Sequence, residues 1–141
     1  MFYYKTVVYI DIDSGELSDL PKLNEIVLES SRFNKMSLIP ANTDIECFTN
    51  PKTLKWFNVE NLANHITLVD PKLMVFQKNF LTMLVMKVWV ACVLDLDCIA
   101  PEREYSKNFG DFFSCETLCE CHRYDQSALS IINYIFMNAL F

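Results

Sequence analysis

The sequence predicts an α/β layer protein, one domain over residues 1–141, on three observations. Residues Lys5 to Ile12 are a nearly continuous β-branched and aromatic run, the pattern of a strand covered on both faces. Phe80 to Leu94 repeats apolar residues at helical spacing through Leu81, Leu84, Val85, Val88 and Cys92. A last helix from Asp125 carries Ala128, Leu129, Ile132, Ile135, Phe136 and Ala139 along one side. Strands alternating with helices make a sheet with helices packed on it. The chain of 141 residues is long enough for one hydrophobic core and short for two, and 52% hydrophobic content supplies that core.

In chain order, the Lys5–Ile12 strand is predicted to be central and parallel in its sheet. Ser18 or Asp19 can cap a helix with Pro21 in its first turn and Leu23, Ile26, Val27 and Ser30 at helical spacing, ending near Phe33. Met36 to Ile39 and Ile45 to Phe48 read as short strands divided by the turn chemistry of Pro40-Ala41-Asn42. Asn50-Pro51 opens a short helical turn bearing Leu54, Trp56 and Phe57. His65 to Val69 and Leu73 to Gln77 are strand candidates on either side of Asp70-Pro71. The Phe80–Leu94 helix is apolar almost all round, with Met83 and Met86 as core filling, and is expected to be deeply buried. Residues 95–124 show no periodicity and read as an irregular, cross-linked loop. Either Asp125 or Ser127 would cap the last helix.

Composition excludes several functions. Lys and Arg total 12 against 18 Asp and Glu, a net charge of −6 with no basic run, so sequence-independent nucleic-acid binding is not expected. Gly15 and Gly110 are the only glycines, which excludes a P-loop and the G-x-G-x-x-G fingerprint. The 15-residue Phe80–Leu94 segment, with Lys87 inside it, is shorter than the roughly 20 residues of a bilayer span, so no transmembrane segment is expected in this chain. No secretory address is read from Met1-Phe2-Tyr3-Tyr4-Lys5, which has no basic stretch followed by a long apolar one, and no N-x-[ST] acceptor occurs. Six cysteines, five of them between positions 92 and 121, suggest disulfides, a metal cluster or cytosolic free thiols.

Two constellations could carry chemistry. In Val7-Val8-Tyr9-Ile10-Asp11-Ile12-Asp13, the two aspartates project to one side of an extended chain, an oxygen-rich face suited to Mg²⁺ or Mn²⁺. At the carboxyl end of a parallel strand they would stand in the crevice where open α/β sheets bind ligands; the plain alternative is a solvated D-x-D at a strand exit. In Cys121-His122-Arg123-Tyr124-Asp125-Gln126, a cation, an imidazole, a carboxylate and an amide meet at a helix mouth that favours anionic groups. An ordinary capped helix would look the same. Cys115, Cys119, Cys121 and His122 could bind zinc, although their crowding differs from common zinc spacings. Trp56 and Trp89 read as core aromatics or as sugar-stacking platforms, His65 as a satisfied polar residue, and Cys47 as a buried thiol.

The strand-borne D-x-D, a buried helix, and D-Q-S-A-L-S opening another helix resemble the second half of a GT-A-type nucleotide-sugar glycosyltransferase of the glycogenin-like kind. More closely, Lys87–Pro101 (K-V-W-V-A-C-V-L-D-L-D-C-I-A-P) with Cys121–Leu129 (C-H-R-Y-D-Q-S-A-L) resembles an uncharacterised nematode family of glycosyltransferase-like, Golgi-directed proteins. The resemblance covers residues 5–15 and 84–134. It implies a GT-A-like mixed sheet with flanking helices, lacking the N-terminal nucleotide-binding units, so that the chain is the C-terminal part of such a domain. It also implies that Asp11 and Asp13 bind Mn²⁺ (or Mg²⁺) and, with Arg123, a nucleoside-diphosphate sugar, while Asp125 and Gln126 lie beside the transferred sugar. Ser130 stands where that family usually has Asn. The partners implied are the nucleotide sugar and a glycan or protein acceptor, and the compartment is the Golgi lumen or secretory pathway, with the cytoplasm as alternative. There Cys92 and Cys98 would pair, with a further bridge among Cys115, Cys119 and Cys121. The expected activity is metal-dependent sugar transfer, weak or lost in so short a chain. The alternative is a non-catalytic, disulfide-stabilised lumenal or secreted binding module.

Overall fold

The computed structural model describes residues 5–10, 20–100 and 124–138, with the side chains of Leu20, Pro21, Lys22, Cys47 and Tyr124 outside that description. It is a mixed α/β structure around a small antiparallel sheet. Three strands, β1 (Thr6–Ile10), β2 (Ser37–Asp44) and β3 (Thr67–Gln77), lie in the order β1-β3-β2. The helices are α1 (Leu20–Phe33), α2 (Pro51–Trp56), α3 (Phe80–Leu94), α4 (Leu96–Ile99) and α5 (Tyr124–Asn138), and Glu46–Phe48 and Glu60–His65 form 3₁₀ turns.

The central strand is β3, not β1. Among the described residues β1 pairs only with β3, antiparallel, with Tyr9 opposite Met74 and Ile10 opposite Leu73. Val8, Tyr9 and Ile10 are 38–48% exposed, so the expectation of a parallel strand covered on both faces fails. A β-branched run is equally compatible with a half-covered outer strand, because those residues favour the pleat whichever neighbours they have. β3 instead buries Leu68, Val69, Met74, Val75, Phe76 and Gln77.

The expected turns are absorbed into the strands. Residues 37–44 run as one strand through Pro40-Ala41-Asn42, and residues 67–77 as one through Asp70-Pro71. Register breaks mark both places: Leu38 faces Met74 while Ile39 faces Asp70, so β3 takes four steps where β2 takes one. Asp70 Oδ1 accepts from the Lys72 amide at 2.9 Å and shapes that bulge. Pro40 is tolerated because β2 is an outer strand in the described sheet. Ile45 to Phe48 is a turn rather than a strand.

Period-two alternation divides β3 between two layers. Gln77 hydrogen-bonds Thr6 and Ser31, on the side where α1 packs. Met74 and Phe76 face the opposite layer, where they meet Val85 of α3 and Leu129 and Ile132 of α5. A second cluster joins Ile45, Leu54, Val59, Ala63, Ile66 and Leu68 to Ile131 of α5. Helix boundaries follow local chemistry. Asn50 caps α2 ahead of Pro51, and Asn79 caps α3 by accepting from the Thr82 amide at 2.7 Å. Asn34, at φ 48°, takes the left-handed conformation that ends α1.

α3 is less buried than its composition suggests. Thr82, Val85 and Cys92 are buried, but Phe80, Val90, Val93 and Leu94 are exposed, Leu94 at 81%. Among the described residues no helix is long and apolar enough to cross a membrane. A disulfide joins Cys92 at the end of α3 to Cys98 in α4, with Cα atoms 5.2 Å apart. Both cysteines are buried against Ala128, Phe57, Trp89 and Ile99. The four-residue α4 cannot hold itself, and it gains three further ties. Asp95 Oδ1 accepts from the Asp97 amide at 3.0 Å, the Trp56 indole donates to Asp95 Oδ2 at 3.0 Å, and Thr53 Oγ1 donates to the Cys98 carbonyl at 2.7 Å.

Candidate functional site

One cleft gathers residues that lie far apart in the chain. Its walls come from Tyr9 of β1, Val69 and Pro71 at the β3 bulge, Trp89 of α3, and Asp125 and Gln126 in the first turn of α5. Its volume is about 80 Å³. That is below the roughly 300–1,000 Å³ of sites that enclose a whole small molecule, so the described walls suit one small group rather than an entire nucleotide sugar.

Helix α5 is held to the bulge by a pair of side chains one turn apart. The Gln126 amide Nε2 donates to the Val69 carbonyl at 2.5 Å, and the Val69 amide donates to Ser130 Oγ at 2.8 Å. Ser130 Oγ in turn donates to the Gln126 carbonyl at 2.7 Å. Both backbone groups of Val69, its N–H and its C=O, are thus taken by α5 side chains. An unpaired buried carbonyl is costly, and Gln126 supplies the donor. Ser127, a possible cap on sequence grounds, is buried inside the helix and donates to the Phe48 carbonyl at 2.8 Å. Trp89 fixes the helix entrance from the other side, its indole N–H donating to the Asp125 carbonyl at 3.2 Å. Asp125 itself is exposed, and its Oδ1 accepts from the Gln126 amide at 2.9 Å. A carboxylate in the first helical turn is favoured by the helix dipole.

No known family, curated protein or solved structure matches this chain. The likeness to glycogenin-like enzymes therefore rests on the quoted motifs alone.

Of the residues singled out in the sequence, Asp125 and Gln126 do come together at a cleft. Asp11, Asp13 and Arg123 lie outside the described residues, as do Cys115, Cys119, Cys121 and His122. Among the described residues no three His, Cys, Asp or Glu side chains gather to hold a metal. Trp56 is neither buried nor a bare platform: it is 40% exposed, edge-on to Phe57, with its N–H on Asp95. His65 is exposed at the end of a 3₁₀ turn rather than the start of a strand. Sequence reasoning missed Tyr9 and Pro71 as cleft residues. For Tyr9 a signal was present, since it is two residues before Asp11 and so in the same period-two series.

Proposed function

We propose that this chain is a glycosyltransferase-like domain, GT-A in type, that transfers a sugar from a nucleoside-diphosphate donor to a glycan or protein acceptor. The observation that carries the reading is the cleft shared by Tyr9 and the Asp125–Gln126 pair. Val7 packs toward α3 and α5 and Tyr9 lines the cleft, and in the sequence Asp11 and Asp13 continue the same every-second-residue series. In this reading Asp11 and Asp13 hold a divalent cation, Mn²⁺ or Mg²⁺, which neutralises the departing diphosphate. Arg123 adds positive charge for the same group, and Asp125 orients the sugar or the acceptor hydroxyl. The Cys92–Cys98 disulfide fits an oxidising compartment, the Golgi lumen or the secretory pathway.

A specific observation favours a second reading. The Gln126 amide, which the family likeness places beside the sugar, is committed to the Val69 carbonyl. A scaffold that keeps the D-Q pair for architecture is a non-catalytic, disulfide-stabilised binding module. Thermal unfolding with uridine or guanosine diphosphate separates the two. The transferase reading expects a Mn²⁺-dependent rise in Tm, equivalent to about 2.7 kcal/mol at one hundred times Kd and abolished by Asp11→Asn with Asp13→Asn. No rise with either nucleotide, in the presence of Mn²⁺, overturns it in favour of the binding module.

A further inference from the structure

We propose that the cleft between β1, the β3 bulge and α5 takes a small organic cation, an ammonium group on a short apolar stem. Asp125 is the one charged side chain among the described residues lining the cleft, and most of the remaining wall is aromatic or aliphatic. Four N–H groups around it are engaged within the protein: Trp89 Nε1 on the Asp125 carbonyl, the Val69 amide on Ser130, the Gln126 backbone amide on Asp125 Oδ1, and Gln126 Nε2 on the Val69 carbonyl. An anion entering here would meet a carboxylate beside N–H groups that are bonded within the protein. A cation would meet that carboxylate together with the rings of Tyr9 and Trp89, whose π-systems attract positive charge. The volume of about 80 Å³ holds such a group and excludes a nucleotide. The chain's net charge of −6 adds attraction at longer range. Beside the proposed transferase reading, this makes the cleft the acceptor side and the acceptor amine-bearing. The inference itself rests on the cleft alone, without metal or nucleotide.

The test titrates the full chain with n-butylammonium chloride while following the ¹H–¹⁵N indole signal of Trp89, assigned with a Trp56→Phe variant. n-Butanol serves as the neutral isostere. The expected result is a saturable shift with n-butylammonium, at least tenfold weaker with n-butanol, weakened by about tenfold in Asp125→Asn, and reduced by added salt. A parallel titration with N-acetyl-lysine N-methylamide distinguishes a lysine side chain from a free amine as the source, whichever binds more tightly. Equal binding of amine and alcohol would make the cleft merely apolar and overturn the proposal, as would no shift with either amine. Unchanged amine affinity in an Asp125→Asn variant that keeps the wild-type Tm overturns it too. Because no nucleotide or Mn²⁺ is present, the outcome is independent of whether sugar transfer fails.

Discussion

Asp125 and Gln126 are neighbours in sequence with opposite duties. Gln126 turns inward and donates to the Val69 backbone carbonyl, whereas Asp125 is exposed at the cleft mouth. Gln126→Leu keeps the apolar bulk but strands the Val69 carbonyl, and should lower stability by about 1–3 kcal/mol in urea denaturation. Asp125→Asn should leave stability within about 0.5 kcal/mol of wild type. Equal losses in the two variants would contradict this division. The pair's position at a helix mouth was legible in D-Q-S-A-L-S, because helix entry is written in local residue types. The inward turn of Gln126 was not, because it answers to the Val69 carbonyl, 57 residues away in sequence, and only the packing of α5 on β3 brings the two together.

At the scale of elements the long helices were readable and the sheet was not, and α4 corrects the reading of residues 95–124 as irregular loop, because a single turn is too short to show periodicity. α1 ends at Phe33 and α3 spans Phe80 to Leu94 as spacing predicted, since a helix closes its hydrogen bonds within its own segment, while Ser18 and Asp19, the expected caps of α1, lie outside the described residues. Sheet order depends on pairing between distant segments, and the strongest strand signal, in β1, belongs to an outer strand among those described. Pro40 and Pro71 were read as chain reversals, but antiparallel strands can absorb such residues as bulges. The partnership of Cys92 and Cys98 was legible in part, because six residues of separation allow their close approach. Loop-closure entropy for so short a ring sets its contribution at about 2 kcal/mol. Replacing both cysteines by alanine should therefore lower the unfolding free energy by at least that amount, and a Tm unchanged from wild type would show that α4 is held by Thr53 and Trp56 without the bond.

Across the whole molecule, apolar surface is unevenly placed. α1 and the paired α3 and α5 cover opposite faces of the sheet, yet α3 leaves Phe80, Val90, Val93 and Leu94 exposed. Because Leu94 is 81% exposed, Leu94→Lys should change stability by no more than about 0.5 kcal/mol. A loss above about 1 kcal/mol, with sedimentation showing the same mass as wild type, would mean that other chain covers this surface. The spacing of Cys92 and Cys98 also bears on biosynthesis. Both thiols leave the ribosome together, ahead of Cys115, Cys119 and Cys121, and the ring they close is much shorter than the one Cys47 would form with either. A nascent polypeptide meeting its first oxidant thus has the correct partner within immediate reach, and scrambled bridges are disfavoured before translation ends.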